Sequence, residues 1–127
     1  ADTIHPGDHG STFAGGPFVT AIAQTVFKKI SDPAFLEHVR DVSDYLDESL
    51  SELAANNPKV LSLRGRGLMR GIQIAGSANA VREAGHEHGL LIATAGDDII
   101  RMVPPLVLER EHVDQALALL EKSLQAI

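Results

Sequence analysis

The sequence predicts an α+β domain, a short and mostly antiparallel sheet covered by helices, with elements in the order ααββαββα. Three observations carry that expectation. Apolar residues recur every three or four positions near both ends of the chain, they alternate with polar ones in the middle, and Gly and Pro punctuate the boundaries. The 127 residues are the usual size of one domain, and a hydrophobic content of 44% is enough for a core.

Pro17 suits the first turn of a helix, because its fixed φ fits there and its missing N–H would be unpaired anyway. Phe18, Ile22, Val26 and Ile30 follow at four-residue intervals, broadened by Val19, Ala23 and Phe27, which predicts a helix with a wide buried face. Ser31-Asp32-Pro33 restarts the pattern, with Asp32 as N-cap and Pro33 in the first turn. Leu36, Val39, Val42, Leu46, Leu50 and Leu53 carry this second and longest helix to Asn56-Asn57-Pro58, where Pro58 prevents continuation.

The period then becomes strand-like. "VLSLRGRGLMRGIQIA" reads as two strands about a turn at Gly65-Arg66-Gly67, with Leu68, Arg70, Ile72 and Ile74 on one face and Met69, Gly71 and Gln73 on the other. A short helix over residues 77–88 ends at Gly89, a left-handed cap. "LLIAT" and "IIRMV" make two more strands, joined through Gly96, Asp97 and Asp98 and stopped by Pro104-Pro105. Val113, Leu117, Leu120, Leu124 and Ile127 define a closing helix.

Composition excludes several functions. There is no cysteine, hence no disulfide, thiolate metal site or cysteine nucleophile. No apolar run approaches the ~18 residues of a membrane span and no signal-peptide pattern is visible, so a soluble, cytoplasmic protein is expected. Eleven basic residues are scattered among 17 acidic ones for a formal net charge of -6, the reverse of a nucleic-acid face. His86 and His88 diverge in direction on a helix, so no metal site is expected. The charges of "EREHVDQALALLEKSL" read as the solvated side of an amphipathic helix.

Three places invite chemistry. In "GDHGSTFAGGP", residues 7–17, glycines let a backbone approach a ligand, Ser11 and Thr12 add hydroxyl donors, and the helix opened by Pro17 adds positive potential. Together these suit a phosphate, although an ordinary flexible loop has the same composition and no GxxxxGK[ST] or GxGxxG pattern is present. Arg101 lies among apolar neighbours in "IIRMVPPL", where a charge is costly unless it is paired or faces a ligand. Its fork matches a carboxylate; the alternative is an edge-strand arginine facing water. Arg64 and Arg66 in "RGRG" suit an anion, and turn solubility explains them as well.

Taken in order, "HGSTFAGGP", "VLSLRGRGLMRGIQI", "GLLI" and "IIRMVPPLVLEREHVDQALALLEKSL" make the chain resemble the C-terminal portion of class III pyridoxal-phosphate aminotransferases. Within that family the acetylornithine group is the nearest in pattern, with the ornithine group close behind. The resemblance covers essentially the whole chain and implies the small C-terminal domain of the fold-type I transferases. It implies that Thr12 is the main contact to the phosphate of pyridoxal phosphate bound in the neighbouring subunit of a homodimer, with Ser11 beside it. It also implies that Arg101 binds the carboxylate of an amino-acid or oxoacid substrate. Residues 1–16 are then the phosphate loop and the connection from a large N-terminal domain, and residues 17–127 the small domain.

Two departures accompany the resemblance. Gly16 stands where the family usually has Asn before the proline, which removes a side-chain cap or packing group. Family members are also much longer, and their cofactor-bearing lysine and the acidic partner of the pyridine nitrogen lie upstream of the "GST" loop. Lys28, Lys29, Lys59 and Lys122 match no such position, so no catalytic residue is expected in this chain and alone it is expected to be inactive. The implied parent reaction moves the terminal amine of N-acetylornithine to 2-oxoglutarate, in arginine biosynthesis. A parent acting on ornithine or 4-aminobutyrate, or a free-standing non-catalytic α+β interaction domain, are the alternatives.

Overall fold

The computed structural model describes His5, Gly7, Asp8 and residues 10–127. The connection expected over residues 1–16 therefore lies partly outside the described residues. The elements are α1 (Pro17–Ile30), α2 (Pro33–Asn56), β1 (Val60–Arg66), β2 (Met69–Ile74), α3 (Ala78–Glu87), β3 (Ala93–Thr94), β4 (Ile99–Met102) and α4 (Arg110–Ser123), followed by a 3₁₀ turn, Leu124–Ala126. The predicted order ααββαββα is the observed one. The chain divides into two compact units, Ala1–Leu36 and Glu37–Ile127.

In the first unit, α1 begins with Pro17 in its first turn and Gly16 as N-cap, and no side chain caps it. Asp32 caps α2 as expected: its Oδ1 accepts from the backbone N–H of Ala34 at 2.9 Å and of Phe35 at 3.1 Å. The wide buried face predicted for α1 is not found. None of its residues is buried, and Phe18 and Phe27 are 78% and 65% exposed. Periodicity decides which side chains share a face, and it carries no information about what covers that face.

In the second unit the four strands are antiparallel in the order β1-β2-β4-β3. One face of this sheet, with Ile72, Ile74, Ile100 and Met102, joins Val42, Leu46 and Leu50 of α2, Val81 of α3 and Val113 and Leu120 of α4 in one core. Arg70 closes an end of that face. Its Nε donates to the Gly67 carbonyl at 2.8 Å, and its Nη1 lies 2.8 Å from Asp47 Oδ1 on α2. The other face carries Arg64, Met69, Gly71, Gln73 and Arg101, all exposed or half-buried.

The first hairpin corrects the sequence reading. Arg66 pairs with Met69, so the turn is Gly67-Leu68 rather than Gly65-Arg66-Gly67, with Gly67 at φ 59° in the first central position. Gly65 is instead a strand residue opposite Arg70, and a Cβ there would fall 2.1 Å from the Met69 carbonyl oxygen. The register slips between Val60 and Ser62, leaving Leu61 58% exposed.

α3 starts at Ser77, whose Oγ accepts from the Ala80 N–H at 3.3 Å. It ends at Gly89 as predicted: the Gly89 N–H donates to the His86 carbonyl at 3.1 Å and the Leu90 N–H to that of Gly85 at 2.7 Å. This closure commits the start of "LLIAT" to the helix end, so β3 is only Ala93–Thr94 rather than the whole run. The closing helix is also shorter than expected. It stops at Ser123, and Lys59 Nζ donates to the Leu124 carbonyl of the following turn at 2.9 Å. Among the described residues, no helix is long and apolar enough to cross a membrane.

Candidate functional site

The glycine-rich loop, in the first unit, presents both of its hydroxyl residues outward. Ser11 and Thr12 are exposed, and Gly15 turns the chain with φ 76° before the Gly16 cap. With no side-chain cap and no acidic residue in its first turn, α1 keeps the positive end of its dipole unopposed from within. Hydroxyl donors and free backbone N–H groups of this kind are what a phosphate needs. The absent Asn side chain at Gly16 thus shows as a helix start without a side-chain cap.

Arg101, in the second unit, lies on β4 between β2 and β3, paired with Gly71 on one side and Ala93 on the other. It is therefore not on an edge strand. Its neighbours Ile100 and Met102 point into the core, and strand alternation puts Arg101 on the outer face, where it is exposed. The ion pairs among the described residues are Arg70 with Asp47, Arg82 with Glu83 and Arg110 with Asp41, so Arg101 has no carboxylate partner there. A guanidinium held on an interior strand without a counter-charge is suited to an incoming anion.

The same face holds a network that the sequence did not reveal. Gln73 Nε2 donates to Asp98 Oδ2 at 2.8 Å, which turns the amide so that its Oε1 accepts from Arg64 Nη2 at 2.8 Å and from Ser62 Oγ at 3.0 Å. These partners come from β1, β2 and the turn before β4. Only the pairing register brings them together, and the register depends on the hairpin turn that the sequence misplaced.

The remaining polar clusters are structural. Arg110 pairs with Asp41 at 2.6 Å and lies 4.9 Å over the Tyr45 ring. The Tyr45 hydroxyl donates to Asp114 at 2.6 Å; this bond first, then burial and the Asp114 charge, raises its pKa. His38 Nε2 lies 3.0 Å from the Leu108 carbonyl oxygen, fastening α2 to the segment before α4. No group of three potential metal ligands occurs among the described residues.

Residues 1–124 match the family described as Aminotransferase class-III. The chain belongs to that family. A "Probable acetylornithine aminotransferase, mitochondrial" of Dictyostelium discoideum is 39% identical over 126 residues, 98% of this chain but 28% of the relative. An "Ornithine aminotransferase" of Staphylococcus carnosus is 35% identical over 95% of this chain and 30% of its own length. Among solved structures, an acetylornithine aminotransferase from Elizabethkingia anophelis superposes with a TM-score of 0.81 at 29% identity, covering 99% of this chain and 34% of that one. The chain thus spans about a third or less of the length of these class-III aminotransferases, and its small α+β architecture is one that they share.

Proposed function

We propose that these 127 residues form the C-terminal part of a pyridoxal-phosphate-dependent class-III aminotransferase that takes N-acetylornithine as amino donor and 2-oxoglutarate as acceptor. The observation that carries this reading is Arg101, a cation on an interior strand that faces outward without a carboxylate partner among the described residues. Its guanidinium holds the carboxylate of the amino acid or oxoacid through two parallel N–H···O bonds, fixing which end of the substrate is presented for reaction. Thr12, with Ser11 beside it, donates hydroxyl hydrogen bonds to the cofactor phosphate of the neighbouring subunit in a homodimer. The start of α1, lacking a side-chain cap, adds positive potential to that contact. Pyridoxal phosphate, when bound, supplies the electron sink for amino transfer.

The chain's own lysines do not suit the carrier role. Lys59 is engaged on a backbone carbonyl, Lys28 and Lys29 lie in the last turn of α1, and Lys122 lies in the last turn of α4. The carrier lysine and the acidic partner of the pyridine nitrogen are accordingly assigned to a large domain upstream of the glycine-rich loop, and these residues alone catalyse nothing. Ornithine as donor is the second reading, favoured by the ornithine aminotransferase among the relatives.

The test is to mix this chain with pyridoxal phosphate, reduce with borohydride and map lysine adducts by peptide mass spectrometry. Low, scattered labelling is the expected outcome. A single stoichiometric adduct on Lys28, Lys29, Lys59 or Lys122 overturns the assignment of the chemistry to another domain.

A further inference from the structure

The outer row of the sheet runs Arg64, Gly71, Arg101, with each residue opposite the next across an antiparallel pair. Directly opposed residues share a face, so both guanidiniums rise from the same side of the sheet, on either side of a glycine. Their backbones are two strand spacings apart, roughly 9–10 Å. Nothing in the fold demands glycine at position 71. Its φ is not in the left-handed region, and a Cβ would meet Ile99 Cγ2 at 3.5 Å and Arg64 Cβ at 3.9 Å, both ordinary contacts. The absent side chain instead leaves a floor between two cations.

Neither Arg64 nor Arg101 is within ion-pair distance of a carboxylate among the described residues, although the chain as a whole carries a formal net charge of -6. Arg64 is nevertheless held in place, because Asp98 orients Gln73 and the Gln73 amide oxygen accepts from Arg64 Nη2. A neutral amide placed between carboxylate and guanidinium passes on orientation without forming a direct ion pair. Two like charges on one sheet face repel, and an anion between them reverses the sign of that interaction.

We infer that Arg64, Gly71 and Arg101 form a slot for a short dicarboxylate, with one carboxylate on each arginine fork and the chain of the ligand lying over Gly71. Arg64 and Gly71 are thereby specificity-determining residues, favouring a dianion over a monoanion of the same length. The inference rests on the reading of Arg101 as a carboxylate contact and adds to it the second cation and the glycine floor.

The experiment is a titration of the isotopically labelled 127-residue chain with glutarate and with monomethyl glutarate, followed by backbone and arginine side-chain NMR shifts. Glutarate is expected to shift Arg64, Gly71 and Arg101 together and to bind roughly tenfold tighter than its monoester, the low end of what a hydrogen bond to a charged group contributes. Arg64→Gln should remove that preference while leaving monoester binding at Arg101 intact. Gly71→Val should weaken both ligands, and Gly71→Ala should weaken them less; unchanged shifts elsewhere in the spectrum confirm that each variant folds. Equal affinities for the two ligands, or an Arg64→Gln variant that keeps the preference, overturn the slot while leaving Arg101 as a single contact. If Arg101→Gln changes no affinity, the underlying reading of Arg101 fails as well.

Discussion

Tyr45 is the chain's single tyrosine, and there is no tryptophan, so the absorbance of the phenolate reports this residue alone. Its pKa is raised above the usual 10.0, first by the hydrogen bond to Asp114, then by burial and by the Asp114 charge, against the lowering effects of Ser49 and Arg110. A raised value means that the folded chain holds the proton more tightly than the unfolded one. The stabilisation is therefore present below the unfolded pKa and is lost as pH rises through the folded one. The expected midpoint lies above that of the urea-unfolded chain, and Asp114→Asn should bring it down; identical folded and unfolded midpoints would contradict the assignment. At this scale the sequence revealed its oddities better than its partnerships. Arg101 stood out because a charge interrupts an apolar run. The Gln73–Asp98 bond and the pairing of Tyr45 with Asp114, 69 residues apart, had no local signature to find.

At the scale of elements, most boundaries were legible because each has a chemical marker. Asp32 caps α2, Pro58 and Pro104 end segments, and Gly89 adopts φ 86° after α3. The β1–β2 turn was misplaced because "RGRG" offers two glycines, and local propensity does not say which one the turn uses. The structure separates them by the reason each is glycine. At Gly89 an added Cβ meets open space, so Gly89→Ala should cost only the left-handed backbone term, about 1–2 kcal/mol. At Gly65 the backbone is also left-handed, with φ 110°, and the Cβ would overlap the Met69 carbonyl oxygen, so the hairpin itself must move. Urea unfolding should therefore show a clearly larger drop in midpoint for Gly65→Ala than for Gly89→Ala. The opposite order would mean that position 65 opens without cost and that the β1–β2 register is looser than described.

Across the whole molecule, burial is uneven between the two compact units. Within Glu37–Ile127, Ile72, Ile100 and Leu120 are fully buried, and truncating Ile72 to Ala should cost about 2–5 kcal/mol, as large-to-small changes in packed cores do. Within Ala1–Leu36, α1 has the same apolar periodicity as a core helix and yet buries none of its residues. The helix was read correctly but its buried face was not, because periodicity leaves open what surface such a stripe packs against. A helix of 14 residues without a buried face is near the length at which isolated helices are marginal in water, about 12–15 residues. Its hydrogen bonds then open locally, without unfolding the core. Hydrogen exchange read by mass spectrometry should accordingly show the amides of residues 17–30 exchanging at least about a hundredfold faster than those of β2 and β4, whose exchange requires the unit Glu37–Ile127 to open. Equal protection of α1 and the sheet would show that the apolar stripe of α1 is covered in solution, by a second copy if protection rises with concentration.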